Sequence, residues 1–258
     1  MKRISLFEFE DFSRFPNSIR AGGTDYLRYF LLRTELYQPS IKLIQEVLNH
    51  QKENQLLDLC SGGGGYMEQV SKVLNKENNK VKITLNDKFP NTAAFEMLRR
   101  RSQHQIDYLD SPVDVFQIPS ELKGIRVMYS ALHHFSPNQV KSILQNTVNA
   151  KASLCIFDGE RNLLSLLGIL LIHPFAFILF TPFFKPFTFP RIFFTYILPL
   201  IPLYTIWDGL ASVLRMYEPH ELEQIVKTLD ANNYTWKIGK TKNRFGLKST
   251  YLLAYPTK

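Results

Sequence analysis

Cysteine is scarce in this chain of 258 residues: Cys60 and Cys155 are the only two. Neither has metal-ligand spacing, so no metal is expected, and a reducing cytosol is the natural setting. The amino terminus, MKRISLFEFEDF, lacks a long apolar core and a small-residue cleavage site, so no secretory signal is read there. Internal repeats are also absent. Acidic residues are outnumbered, giving a formal charge of +8, which points to nucleic acid, an anionic membrane surface, an acidic substrate, or simply a mildly basic soluble protein. With 45% hydrophobic residues the composition is that of a folded protein, and the length suits one α/β domain with a large core.

What is present is an alternation of short apolar runs with helical spacing. Leu43–Asn49 reads as a helix, and Leu56–Leu59 as a buried strand entering a glycine turn. Helices are expected over 66–74, 93–101 and 139–148, and strands over 81–85, 106–109, 124–130 and 153–157. A last helix over 218–229, with Pro219 in its first turn, precedes strands at 234–241 and 250–255. The order implies a doubly wound, mostly parallel α/β sheet whose first loop lies at the topological switch point.

That first loop is the run DLCSGGGG at Asp58–Gly65. Glycines let a ligand approach the backbone, and the following helix offers unpaired N–H groups. A dinucleotide fingerprint needs a third glycine where Met67 stands, which weakens the nicotinamide dehydrogenase reading. Asp87 ends the second strand, where an acid accepts hydrogen bonds from ribose hydroxyls; it reads equally as a turn or helix-cap aspartate. Asp114, in SPVDVFQIP, is placed to accept an adenine amino group, or to form a plain turn.

These features, in this order, resemble the class I S-adenosylmethionine-dependent methyltransferases over residues 50–158, and again over 218–255. The resemblance implies a seven-stranded Rossmann-like sheet and S-adenosylmethionine as cofactor. The family's first motif reads acid-x-Gly-x-Gly-x-Gly; here Cys60 replaces the first glycine, which leaves the loop conformation open. By resemblance Asp58 lies near the methionine amino group, and Cys60, Ser61, Gly62 and Gly64 line the cofactor. Asp87 holds the ribose with Lys88 beside it, and Asp114 and Val115 flank adenine. The segment YSALHHF at Tyr129–Phe135, including Ser130, matches the fourth-strand motif near the sulfonium.

Methyl transfer to oxygen or nitrogen is helped by a base, and His133 and His134 stand at the mouth of the expected site. The plainer reading of both is structural: they pack and cap the next helix. Glu160 and Arg161 are further candidates. Asp208, Ser212 and Arg215 share one helical face and would line a polar pocket, or form an ordinary salt bridge. In IRAGGTDYLRY, Gly22 and Gly23 allow a hinged lid with Tyr26 over the methionine end of the cofactor; the plainer reading is a helix start capped by Thr24 or Asp25.

Residues 163–206 lack charge almost entirely, with Lys185 and Arg191 the exceptions. The first part is long enough to cross a bilayer core, but both ends of the segment must return to one sheet. A hairpin dipping into one leaflet fits, with Tyr196, Tyr204 and Trp207 at the interface and Lys185 and Arg191 snorkelling to phosphate. Lys237, Lys240, Lys242, Arg244 and Lys248, with no acid among them, would add attraction to anionic headgroups. The alternative is a buried helical cap against the core or a partner subunit.

The expected organisation is therefore an amino-terminal helical segment or lid (1–49), a methyltransferase domain (50–160 and 207–258) and an apolar helical insertion after the fifth strand (161–206). The expected function is methylation of a small hydrophobic or lipid-like acceptor by a cytoplasmic protein held at the inner face of the membrane. A non-catalytic cofactor-binding module at the membrane is the alternative from another class. An RNA methyltransferase is disfavoured by the apolar insertion and by the lack of an aromatic and basic nucleic-acid module.

Overall fold

A computed structural model describes residues 1–77 and 80–257. Strands β1 (Gln55–Leu59), β2 (Lys82–Leu85), β3 (Ile106–Tyr108), β4 (Ile125–Tyr129), β5 (Leu154–Asp158), β6 (Tyr234–Lys242) and β7 (Lys248–Pro256) form one 7-stranded sheet in the order β3-β2-β1-β4-β5-β7-β6. β1 to β5 are parallel, and β7 runs antiparallel to both β5 and β6. Every residue of β4 and β5 is buried. Helices cover both faces there, which is why these strands show continuous apolar runs rather than alternation.

Helices α1 (Asn17–Thr34), α2 (Ser40–Gln51), α3 (Met67–Leu74), α4 (Thr92–Arg101) and α5 (Pro137–Asn149) follow the expected pattern. One core joins Ile44, Val47, Val70 and Phe95 to the sheet; the other joins Val140, Ile143 and Leu144 to its opposite face. α5 begins with a reciprocal capping box of Ser136 and Gln139.

The insertion folds as α6 (Leu163–Leu171), α7 (His173–Phe180), α8 (Phe189–Tyr196) and α9 (Leu200–Arg215), followed by α10 (Pro219–Val226). The expected boundary between 206 and 207 therefore falls inside α9. Among the described residues, no single helix is long and apolar enough to cross a membrane; two bent helix pairs, at 48° and 81°, pass on length and composition together.

Three sequence expectations are corrected here. Arg191 does not snorkel: it is fully buried, with Nη1 donating to Asp25 of α1 at 2.6 Å and Nη2 donating to the carbonyls of Phe184 and Pro186. The carboxyl-terminal cations are not a free basic strip, because acids distant in sequence pair with most of them. Lys237 meets Glu46, Lys240 meets Glu160 and Glu218, Arg244 meets Glu35, and Lys248 approaches Glu160. Thr24 and Asp25 do not cap a helix start; they lie inside α1, which begins at Asn17.

α1 binds the insertion to the sheet. Ile19 on α1 packs with Phe177, Phe184, Ile201 and Tyr204 of the insertion. A Cβ on Gly23 would overlap the Tyr204 hydroxyl, and one on Gly22 would press on Ile201. The glycines here serve helix–helix contact rather than a hinge.

Candidate functional site

The carboxyl ends of β1, β2, β4 and β5 converge at one edge of the sheet. After β1 the chain turns sharply: Cys60, Gly62, Gly64 and Gly65 all have positive φ, at 56°, 54°, 89° and 46°. Cys60 therefore takes the left-handed conformation that a glycine would supply, which costs a side-chain-bearing residue ~1–2 kcal/mol. At Gly64, where φ is 89°, a Cβ would sit 2.1 Å from Leu98 Cδ1, so a side chain there would also force Leu98 to move.

The loop is tied to the end of β2. Asn86 donates from Nδ2 to the Asp58 carbonyl at 2.8 Å, and Ser61 Oγ donates to the same carbonyl at 3.0 Å. The Asp87 carboxylate accepts from Gly62 N and Phe89 N, each at 2.7 Å. Asp87 thus bridges two loops, and each of its oxygens keeps acceptor capacity for a further donor.

Asp58 is buried beneath this loop, and its Oδ1 has no hydrogen-bond partner. Burial pushes its carboxyl up to about 8; a Ser61 hydrogen bond opposes this and the Asp87 charge adds to it. Asp114 stands at the rim, accepting from Phe116 N at 3.0 Å and pairing with Lys88 at 3.2 Å. The Phe116 bond holds it below its usual range. Val115 is buried in the second core. Ser130, also with positive φ, bonds Tyr37 at 2.6 Å.

α1 lies across this edge. A Cβ on Gly63 would come within 2.8 Å of the Thr24 carbonyl oxygen. Tyr26 turns away from the loop: its ring packs on Phe177 and Phe184, and its hydroxyl bonds His173 Nδ1 at 2.8 Å. Its expected place over the methionine end is replaced by a place against the insertion.

His133 and His134 lie in a second, polar cluster beside β4 and β5. The Asp158 carboxylate bonds His133 Nδ1 at 2.8 Å and the His133 backbone N–H at 3.1 Å. His134 Nδ1 bonds Asp11 at 2.7 Å. Burial works against a charge on His134, but Glu8, Asp11 and Glu10 outweigh it and raise its pKa to about 10. Arg215 donates to the carbonyls of His133 and His134 and contacts Glu8 and Asp11. Asp208 accepts from Phe9 N and Glu10 N, and burial lifts it to about 7. Ser212 donates to Glu8. The helical face of Asp208, Ser212 and Arg215 does meet in one polar region, and the amino-terminal segment closes it. Arg161 pairs with Glu221 instead, and Glu160 with Lys240.

Sequence reasoning missed Glu8, Glu10, Asp11, Asn86 and Asp158 as site residues. Its available signal was the acid run inside FEFEDF and the acid that ends the fifth strand.

No family model and no curated protein matches the sequence. Solved structures do match. The methyltransferase domain of bacterial CtHen1-C has a TM-score of 0.51 and 10% identity, over 86% of this chain and 100% of that one. An O-methyltransferase family protein from Burkholderia thailandensis gives 0.52 and 13%, over 91% of this chain and 60% of that one. The S-adenosylmethionine-dependent methyltransferase SibL gives 0.50 and 12%, over 86% and 53%. This chain therefore spans the whole of the first and little more than half of the other two. Sheet order and these likenesses together define the fold as that of the class I methyltransferases, with the apolar helices inserted after β5.

Proposed function

We propose that this chain is an S-adenosylmethionine-dependent methyltransferase for a lipophilic acceptor at a membrane surface. The observation that carries the cofactor assignment is Asp58: a buried carboxylate with an unpartnered oxygen, under a glycine turn at the switch point of a methyltransferase sheet. A cationic ammonium is the partner that such an oxygen lacks. The other residues fit the same group: Asp87 retains acceptor capacity for ribose hydroxyls, and Asp114, Val115 and Lys88 rim the adenine side. Gly62, Gly64, Cys60, Ser61 and Ser130 supply close backbone.

The cofactor supplies an already activated sulfonium methyl, so the protein's work is placement and exclusion of water. His133 is the base candidate, because Asp158 holds its Nδ1 and so fixes which nitrogen is free. Asp208 and Arg215 line the polar region next to it.

The acceptor class rests on the insertion. Phe189 is 80% exposed, and Leu164 and Phe175 are each 75% exposed. α6 carries Ser165 as its one polar side chain and buries no residue. A helix apolar on all sides demands a covering phase, and so large a patch marks a membrane or partner contact. Because this patch flanks the methyl-transfer edge, its covering phase is also the natural source of the acceptor.

The test is incubation of the full chain with radiolabelled methyl donor and fractionated cell lipids, followed by identification of the labelled species. A labelled lipid, lost in Asp58→Asn, is the expected result. Donor binding with no labelled product from any fraction would favour the non-catalytic module; label in RNA that nuclease removes would favour the RNA reading.

A further inference from the structure

Outside the glycine loop, the polar cluster of the amino-terminal segment holds more acceptors than donors. Asp158 engages His133 Nδ1, so Nε2 is the ring nitrogen left for another ligand. That nitrogen faces Glu8 Oε1 at 4.0 Å, too far for a hydrogen bond. Glu8 is fully buried, and its Oε1 makes no hydrogen bond, although the Arg215 guanidinium lies 3.0 Å away. Its other oxygen accepts from Ser212 at 2.8 Å and stands 3.8 Å from His134 Nδ1. Arg215 gives Glu8 a positive neighbour, but no hydrogen bond reaches Oε1, so Glu8 Oε1 and His133 Nε2 face each other as potential ligands of one metal ion.

We infer that Glu8, His133 and His134 form a binding site for one divalent first-row metal ion. A donor atom of each lies within 4.8 Å of the others, and His134, now bonded to Asp11, releases its proton when it takes the metal. Four-coordinate bonds of about 2.0–2.2 Å place ligand atoms ~3.4 Å apart, so separations of up to 4.8 Å must close by as much as ~1.4 Å through side-chain rotation. The carboxylate behind His133 is the arrangement that orients a metal-bound imidazole and strengthens it as a ligand. Two imidazoles and a carboxylate suit Zn²⁺, Co²⁺ or Mn²⁺ and discriminate against Mg²⁺ and Ca²⁺, which want oxygen ligands. Glu8 also belongs to a second group of close carboxylates with Glu10 and Asp208, so negative charge surrounds the ion on the solvent side. Such an ion ties the amino-terminal segment, through Glu8, to the ends of β4 and β5. The inference does not depend on the cofactor assignment, but it replaces the base role of His133, because an Nε2 that holds a metal has no lone pair left for a proton.

The test uses the full chain, stripped with chelator and titrated with Zn²⁺, Co²⁺ and Mg²⁺. Metal content, the visible bands of bound Co²⁺ and Tm are the readouts. One equivalent of Zn²⁺ or Co²⁺ with a raised Tm, and no response to Mg²⁺, is expected. Affinity should fall at least ~10-fold in Glu8→Gln and His133→Gln, and ~10–100-fold in Asp158→Asn; His104→Ala, at an exposed histidine elsewhere, should leave it unchanged. Equal affinity in Glu8→Gln and His133→Gln, or no stoichiometric metal in the folded wild-type chain, overturns the site. If those variants fail to fold, pulsed magnetic resonance of Cu²⁺ bound to the wild-type chain decides: two ligating imidazoles support the site, and one or none refutes it.

Discussion

Asp58 allows a test that does not require the acceptor to be known. Its carboxyl is raised to about 8 by burial, with the Asp87 charge adding to the rise and Ser61 opposing it. A folded pKa above the unfolded value means that the native state holds the proton more tightly. The stability from this group is complete below about pH 4 and drains away as pH rises towards 8. At ~1.4 kcal/mol per pH unit, ionising Asp58 in the fold costs ~6 kcal/mol by pH 8. Asp58→Asn does not titrate, so its stability relative to wild type should grow by ~1.4 kcal/mol per pH unit between pH 5 and 7.5. Urea denaturation of the two chains at four pH values measures this. Donor binding has the opposite interest, because the ammonium needs the ionised carboxylate. Wild-type affinity for S-adenosylmethionine should therefore fall ~10-fold per pH unit below about 8 and decline again at higher pH, as the donor's own amine loses its proton. Calorimetry should show proton release on binding at pH 7, and Asp58→Asn should bind weakly with a flattened profile on the acid side. A stability gap that does not change with pH, together with undiminished binding by the Asn variant, would refute the assignment.

Arg191→Met leaves the buried Asp25 with Arg28 at 3.5 Å and a 3.4 Å hydrogen bond from Asn91, and should cost ~3–5 kcal/mol at pH 8. Burial raises Asp25 to about 6, so the loss should shrink at pH 5, where Asp25 takes up a proton; a cost below ~1 kcal/mol at pH 8 would mean that Arg191 is not buried as described. Gly63→Ala drives a methyl against the Thr24 carbonyl and should lift α1 from the loop, costing ~1–3 kcal/mol and exposing α1 to protease; unchanged cleavage counts against that contact. Cys60→Gly should be tolerated within ~1 kcal/mol, since it relieves the backbone while loosening the unfolded chain, whereas Cys60→Val should cost more; equal chemical-denaturation midpoints would contradict the left-handed geometry. Asp87→Ala releases the N–H groups of Gly62 and Phe89, so it should lower the Tm even without donor, by an energy of ~1.5–3 kcal/mol, as well as weaken donor binding.

The central strands and the glycine turn were legible because local pattern specifies them: apolar runs of strand length, glycines at a strand end, and an acid closing the next strand. The insertion's internal breaks were not. Where nearly every residue is apolar there is no contrast for a helical period to show, so a two-part hairpin was expected where four helices form. Charges misled for a different reason. Arg191 has no acid nearby in sequence, and its partner Asp25 lies in another helix. The same holds for Lys237 with Glu46 and Arg244 with Glu35. Cys60 looked like a defect in the motif, yet its backbone takes the conformation the motif needs. The lid reading placed Tyr26 over the cofactor because Gly22 and Gly23 permit a hinge, but those glycines accommodate Ile201 and Tyr204.

One physical consequence joins the two halves of the molecule. Thr24 presents its carbonyl to Gly63, and Asp25, the next residue, takes the buried guanidinium of Arg191. A single turn of α1 therefore touches the glycine loop on one side and the insertion on the other. Close packing transmits displacement, because interiors hold few voids to absorb it. Any movement of α8 that drags Arg191 must either break a buried ion pair or carry α1 with it, together with the contacts that Thr24 and Asp25 make to Gly62, Gly63 and Asn91. Displacement of the apolar helices and displacement of the glycine loop are thus mechanically coupled through Asp25. The scarcity of charge in 163–206 gives that coupling its sharpness: Arg191 is the one buried cation there, so no neighbouring guanidinium or ammonium of the insertion can take over its role.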